Sequence, residues 1–242
     1  MEWIYYLEPF LYPLLILSLI LSIYAQFKVS STFKKYSRVY THRGYNATDV
    51  AGMILRTNGI YNVYITRVRG NLTDHFNPRD NTLALSDTVY ASTSAAAIGV
   101  AAHEAGHAIQ HNVGYFPIRL RSALVPITSI ASKMSMIVIL LGLLLSALSL
   151  LGGIGYTVLL IGVMLFSVTT LFSLVTLPCE FNASRRAIGA LRASGWYSED
   201  ELRCAKAVLS AAALTYVAAT LSSLVTLLRF VLILLGQRGR RE

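Results

Sequence analysis

The sequence AHEAGHAIQH, at residues 102–111, contains the pattern His-Glu-x-x-His. On an α-helix, His103 and His107 point the same way, so both imidazoles can reach one metal ion. Glu104 lies about 100° around the helix from His103, where it can meet a metal-bound water without ligating the metal. The pattern is therefore typical of a hydrolytic zinc site. The alternative is a chance match on an alanine-rich helix, expected about once in a hundred chains of this size.

Long apolar runs predict an integral membrane protein. The chain has 242 residues and is 55% hydrophobic, whereas soluble domains are roughly 45–50% apolar. Runs long enough to cross a bilayer core of about 30 Å occupy residues 9–27, 134–151, 156–177 and 207–235. Residues 152–155, Gly-Gly-Ile-Gly, are expected to turn between the second and third runs. The fourth run is longer than a span, so its alanine-rich first part, residues 207–219, should pack on the catalytic domain.

The basic residues indicate which loops face the cytoplasm. The net charge of +9 comes with no nucleic-acid-reading motif, so we expect a lipid bilayer and no nucleic acid as partner. Five cations directly follow the first run: Lys28, Lys34, Lys35, Arg38 and Arg43. They should hold that end in the cytoplasm and leave the N-terminus outside. The basic tail, residues 238–241, would then also lie outside unless the last helix is re-entrant or lies on the surface.

These signals predict an α+β integral membrane protein, mainly helical, with about four transmembrane helices plus a zincin-like catalytic domain with a small β-sheet. Within that domain we expect a helix after Asn46, a strand at 61–68, a hairpin of 72–76 with 82–86, and the motif helix at 92–112. The expected division is a transmembrane anchor (1–27), the cytoplasmic catalytic domain (28–133), a transmembrane hairpin (134–177), a cytoplasmic segment with the third zinc ligand (178–206), and a long helix ending in a span and basic tail (207–242). Cys179 and Cys204 are expected to be reduced thiols.

A catalytic zinc needs a third protein ligand and an open position for water. His111 lies about 12 Å along the helix from His103, too far for zinc–nitrogen bonds of about 2.1 Å. We expect it to line the site or to hydrogen-bond a ligand. Glu180 is the better third ligand, with Asn182 or Ser184 orienting a histidine through its other ring nitrogen. The alternative is a helix-start glutamate favoured by the macrodipole.

Further candidates would serve the substrate. His75 and Tyr216 are expected hydrogen-bond donors to the oxyanion, although turn chemistry explains His75 and helix packing explains Tyr216 equally well. An extended substrate could pair with a strand edge. The expected edge consists of Thr82, Leu83, Ala84 and Leu85.

Four segments resemble the YugP-type neutral zinc metallopeptidases of prokaryotic membranes. They are LTDHFNPR (72–79), VAAHEAGHAIQH (100–111), LPCEFNASRRA (177–187) and AALTYVAA (212–219). The chain more distantly resembles the HtpX and CAAX prenyl protease group, whose downstream motif is Glu-x-x-x-Asp; Ser184 stands at the Asp position. The resemblance implies a gluzincin-like site in which His103, His107 and Glu180 bind one Zn²⁺ and Glu104 is the base. It also implies a multi-pass protein of the plasma membrane whose site faces the cytoplasm.

The resulting hypothesis is a membrane-anchored zinc endopeptidase acting on unfolded or membrane-associated polypeptides. An intramembrane site-2-type protease is one alternative, but the chain lacks that class's distant Asp-Gly, and the run before His103 is too short and weakly apolar for a span. A non-catalytic membrane scaffold or assembly factor with a structural zinc is another, which would need a fourth strong ligand. A homo-oligomer or a regulatory membrane partner stays open.

Overall fold

A computed structural model of the chain describes residues 3–148 and 153–238. Six helices and three strands follow one another in these ranges: α1 (Trp3–Tyr36), α2 (Ala47–Thr57), β1 (Tyr64–Val68), β2 (His75–Asn77), β3 (Thr82–Ser86), α3 (Ala95–Asn112), α4 (Phe116–Ala147), α5 (Ile154–Ala193) and α6 (Glu199–Arg238). They form two compact units. The membrane unit comprises Met1–Tyr24, Leu120–Thr176 and Tyr216–Glu242; the α/β unit comprises Ala25–Arg119 and Leu177–Thr215.

Four of the described helices are long and apolar enough to cross a membrane: Pro9–Tyr36, Phe116–Ala147, Ile154–Ala193 and Glu199–Gln237. Together with the small sheet, they confirm the predicted α+β membrane architecture. The helices extend beyond the predicted spans, because α4 begins at Phe116 and α6 at Glu199. The end of the second apolar run, the first residue of the predicted turn and residues 239–241 of the basic tail lie outside the described residues.

Within the membrane unit, glycines let α4 and α5 approach closely. A Cβ placed on Gly162 would lie 2.7 Å from the backbone nitrogen of Ile139, and one on Gly142 would meet the backbone of Leu159. Ile139, Leu159 and Val163 are consequently buried together. Small residues at helix contacts are typical of membrane proteins, in which close packing rather than water exclusion joins helices.

Helix α5 continues through Pro178, where the sequence suggested the start of a new segment. Its part in the α/β unit has a stripe of buried residues four positions apart, namely Cys179, Ala183, Ala187 and Leu191. This spacing places all four on one helix face. The free energy gained by burying that face offsets the loss of the one backbone hydrogen bond that a proline removes from a helix. Cys179 and Cys204 are both free cysteines.

The core of the α/β unit forms where α2 and α3 pack on each other and on the sheet. Helix α2 begins with a capping box, in which Asn46 accepts from the backbone of Asp49 and Asp49 accepts from the backbone of Asn46. Ser94 caps α3 by accepting a hydrogen bond from the backbone of Ala97. Helix α6 contributes residues 199–215 to this unit, whereas residues 216–219, the end of the alanine-rich part predicted to pack here, belong to the membrane unit.

The three strands lie in the order β1-β3-β2. The predicted antiparallel pairing of the hairpin is confirmed, since β2 pairs with β3, but β2 spans His75–Asn77 rather than residues 72–76. β1 begins at Tyr64 rather than at residue 61 and pairs parallel with β3. Thr82, Leu83, Ala84 and Leu85 therefore lie in the central strand, and their predicted role as a free edge is wrong. Both neighbours of β3 already pair with its backbone, which leaves β1 and β2 as the two edges.

Candidate metal centre

Two helices of the α/β unit bring three potential metal ligands together. His103 and His107 project from α3, and Glu180 projects from α5. Oε2 of Glu180 lies 3.1 Å from Nε2 of His103 and 3.6 Å from Nε2 of His107. Each residue offers one ligand atom, and the three atoms lie within 4.8 Å of one another. The Glu180 side chain is only 1% exposed.

The donor set fits a zinc ion. Tetrahedral bonds of 2.0–2.2 Å separate neighbouring ligand atoms by about 3.4 Å, and the measured separations of 3.1 and 3.6 Å lie on either side of that value. Two imidazole nitrogens and one carboxylate oxygen are a common ligand set of catalytic zinc. In the described part of the chain, this is the one group of three such side chains with this geometry.

Gln110 selects the tautomer of His107. Nε2 of Gln110 donates to the carbonyl oxygen of Cys179 at 2.7 Å and to Oδ1 of Asn182 at 3.0 Å. Oε1 of Gln110 is therefore the acceptor for Nδ1–H of His107, at 3.0 Å. With the proton on Nδ1, Nε2 of His107 has a lone pair for a metal. Gln110 was not among the residues predicted from the sequence, although it lies one helical turn after His107.

The residues predicted to support the ligands divide into those that contact a histidine and those that do not. Ser184 Oγ lies 3.1 Å from Nδ1 of His103. Asn182 instead accepts hydrogen bonds from Gln110 and from Nε of Arg186. His111 is exposed, and its ring meets the edge of Phe76 with centroids 6.0 Å apart. His111 was predicted to hydrogen-bond a ligand, but its side chain faces solvent. Its neighbour Gln110 faces α5 and forms that hydrogen bond to His107 instead.

Gly106 is what allows α3 and α5 to approach closely at the site. It lies on α3 between His103 and His107, one residue before the latter. A Cβ at this position would be 2.6 Å from the carbonyl oxygen of Ala183, closer than atoms can approach without movement. Ala183 lies on α5 between Glu180 and Ser184. Glycine is therefore required where the histidine-bearing helix meets the glutamate-bearing helix.

Glu104 interacts electrostatically with His103 and Glu180 and is only 8% exposed. Burial raises the pKa of its carboxyl to about 7; the charges of Glu180 and Asp74 act in the same direction, and His103 opposes them. A carboxyl group with a pKa near neutrality can both accept and release a proton. The electrostatics of the site thus suit proton transfer at Glu104.

Comparison with known proteins identifies the family. Residues 11–235 match the family described as "Putative neutral zinc metallopeptidase". The chain belongs to this family. It is also similar to the protein named "Putative membrane protease YugP" from Bacillus subtilis (strain 168), with 45% identity over 225 residues that cover 93% of this chain and 96% of that protein. No solved structure matches the chain. The resemblance to neutral zinc metallopeptidases is confirmed, and the family name implies zinc and a peptidase role.

In this member of the zinc metallopeptidase family, hydrogen bonds made by the residues at the start of β2 stabilise the hairpin. The Asp74 carboxylate accepts hydrogen bonds from the backbone and the hydroxyl of Ser86, at 2.7 and 2.9 Å. Burial raises the pKa of Asp74 above its ordinary value. His75 donates from Nδ1 to the carbonyl oxygen of Thr73 at 2.9 Å, so it can also donate from Nε2 only when doubly protonated. Tyr216 lies on α6 in the membrane unit, and its role stays a prediction.

Proposed function

We propose that this protein is a zinc-dependent endopeptidase, anchored in the plasma membrane, that hydrolyses unfolded or membrane-associated polypeptides. One observation carries the proposal. His103 and His107 lie on one helix and Glu180 on another, 77 positions after His103. The ligand atoms of all three nevertheless lie within 4.8 Å of one another. Glu104 is buried beside them.

The roles of the side chains follow from their contacts. His103, His107 and Glu180 hold one zinc ion, which when bound supplies the Lewis acidity that polarises a peptide carbonyl and acidifies a water. Ser184 and Gln110 orient the two imidazole rings through their Nδ1 atoms. Glu104 accepts the proton of the attacking water and passes it to the leaving amine. Tyr216 and the doubly protonated form of His75 are the candidate hydrogen-bond donors to the oxyanion.

The sheet provides a surface for an extended substrate, on a different strand from the one first expected. β2 is an edge strand that packs against α3, the helix of the His-Glu-x-x-His motif. We propose that the substrate backbone pairs with the free edge of β2, at His75, Phe76 and Asn77. Only a chain segment that can become extended would fit such an edge, which favours unfolded polypeptides over folded ones.

Two observations favour this function over the alternatives. The motif helix α3 is not among the four described helices that are long and apolar enough to span a bilayer, which disfavours an intramembrane protease. The described residues assemble three donors of the required kind, whereas a closed structural site needs four. The basic residues that follow the first span support a cytoplasmic orientation of the α/β unit.

The test is cleavage of casein, an unfolded protein, by the detergent-purified chain, with zinc content measured on the same samples. Glu104→Gln should retain zinc and lose about 10²–10⁴-fold in rate, and Glu180→Ala should lose both zinc and activity. Glu199→Gln is the matched control, because Glu199 pairs with Arg192 at an exposed position. Cleavage at the wild-type rate by Glu104→Gln would refute the mechanism. Four protein ligands and no water in the spectrum of the cobalt-substituted protein would favour the scaffold.

A further inference from the structure

A half-open cavity lies in the α/β unit, and the proposed mechanism does not use it. Its volume is about 380 Å³, and residues from α2, α3 and α5 line it. This volume lies within the range of roughly 300–1,000 Å³ that is typical of small-molecule sites. Met53, Ile109 and Ala190 provide apolar wall, and Arg186 provides the only charge among the lining residues. A mostly apolar cavity with one cation suits an apolar molecule with one negative end.

Arg186 is available to such a ligand. Its Nε donates to Oδ1 of Asn182 at 2.7 Å. Within the described ranges, no carboxylate forms an ion pair with its guanidinium. A guanidinium has five donors in a planar fork, so the two Nη groups can still bind both oxygens of a carboxylate. Inorganic phosphate is a poorer match, because it has no alkyl part to contact the apolar wall and one arginine fork pairs with only two of its oxygens.

Gly189 keeps the cavity open. It lines the cavity from within α5, and a Cβ placed on it would meet no atom within 4 Å. Glycine in a helix interior is less favourable than alanine, both because of its backbone entropy and because it leaves the backbone exposed. Contacts with neighbouring atoms therefore do not require a glycine here, and the missing side chain leaves this wall of the cavity open to a ligand.

A chain of hydrogen bonds connects the cavity to the metal centre. Oδ1 of Asn182 accepts from Nε of Arg186 at 2.7 Å and from Nε2 of Gln110 at 3.0 Å. Oε1 of Gln110 in turn accepts from Nδ1 of His107 at 3.0 Å. Asn182 and Gln110 are both buried, so water does not compete for these bonds. A charge placed at Arg186 thus acts on His107 through three polarised hydrogen bonds.

We propose that this cavity binds a small aliphatic carboxylate and that the bound anion strengthens zinc binding at the candidate metal centre. The carboxylate pairs with Arg186, and its alkyl part contacts Met53, Ile109 and Ala190. The positive charge of Arg186 repels a cation bound at His107, and a carboxylate at Arg186 offsets that charge. The carboxylate and zinc should therefore bind cooperatively, each raising the affinity of the other by the same factor. The binding site stands independently of the proposed function, whereas the coupling rests on it.

Calorimetry on the full chain in detergent tests the binding site, with butyrate as the probe and butyramide and inorganic phosphate as comparisons. Butyrate should bind saturably, and its affinity should fall about tenfold or more in Arg186→Gln, as expected for loss of a hydrogen bond to a charged group. Gly189→Leu should weaken binding likewise by filling the cavity while leaving Arg186 in place. Arg185→Gln is the matched control, because Arg185 is exposed and does not line the cavity.

Three results would overturn the site: no saturable binding of butyrate, equal binding of butyramide or phosphate, or wild-type affinity in Gly189→Leu. The Gly189→Leu result decides the matter if Arg186→Gln does not fold. Chelator competition then measures zinc affinity with and without butyrate. The wild type should gain about fivefold or more in the presence of butyrate, and the two cavity variants should not. An unchanged affinity refutes the coupling, whereas absence of zinc binding in every sample refutes the proposed function and leaves the carboxylate site intact.

Discussion

Gly106→Ala adds one methyl group at the contact between α3 and α5, the helices that carry the candidate metal ligands. The new Cβ would lie 2.6 Å from the carbonyl oxygen of Ala183, whereas carbon and oxygen atoms of neighbouring elements approach to about 3.3 Å. Helices α3 and α5 must therefore separate by about 0.7 Å at this point. Because His107 and Glu180 lie on either side of the contact, their ligand atoms should move apart by a similar distance.

The expected magnitudes differ for stability and for metal binding. Overpacking costs about 1–3 kcal/mol, but alanine is favoured over glycine in a helix by about 1 kcal/mol. The net loss of folding free energy should therefore be about 1 kcal/mol. Zinc tolerates ligand displacements of only about 0.2 Å. Its affinity should fall at least 10–100-fold, the range seen when the support of a zinc ligand is disturbed.

The assay is chelator competition for zinc, combined with casein cleavage and a thermal melt on the same preparations. Gly189→Ala is the matched control, because it makes the same substitution on α5 where a Cβ meets nothing within 4 Å. The control should melt slightly higher than the wild type and bind zinc with unchanged affinity. Wild-type zinc affinity and cleavage in Gly106→Ala would refute the argument that helix approach at this glycine positions the ligands.

Three further predictions concern other parts of the α/β unit. Gln110→Leu leaves Nδ1–H of His107 without its acceptor, so zinc affinity should fall about 10–100-fold in the same chelator competition. Removal of zinc by a chelator should abolish casein cleavage and lower the melting temperature, since a ligand present at a hundred times its Kd stabilises the folded state by about 2.7 kcal/mol. Asn46→Ala removes the capping box of α2 and should cost about 1 kcal/mol, measured as faster hydrogen exchange of the α2 amides.

Each of these predictions has a specific contradictory outcome. Gln110→Leu with wild-type zinc affinity would show that the ring of His107 is oriented by other contacts. Full cleavage of casein after complete chelation would exclude zinc from the reaction. For the cap, Asn71→Ala is the control, since Asn71 is exposed after β1. Equal exchange in both asparagine variants would show that the capping box does not stabilise α2.

Local signals predicted the elements that local chemistry determines. The caps at Asn46 and Ser94 start α2 and α3 close to the expected residues, because a side-chain oxygen satisfies a backbone donor only a few positions away. The hairpin of β2 and β3 was predictable for the same reason, since its turn connects adjacent segments. The histidine spacing likewise placed both imidazoles on one face of α3.

Features that depend on distant contacts were not predictable in this way. β3 was predicted to be an edge strand, but β1 pairs parallel with it, so β3 is the central strand of the sheet. No turn between adjacent segments indicates a parallel pairing. Helix α5 passes through Pro178 because its buried face packs in the α/β core, which a local reading of proline cannot reveal. Gln110 was missed because its partners are on α5, 69 and 72 residues later.

The separation of the ligands along the chain also determines when the candidate metal centre can exist during synthesis. Glu180 comes 77 residues after His103, so a ribosome that has completed both histidines has not yet made the third donor. The nascent polypeptide therefore emerges without a complete zinc site while its own segments are still unfolded and open to cleavage. Translation order alone thus delays completion of the candidate metal centre until most of the chain has been synthesised.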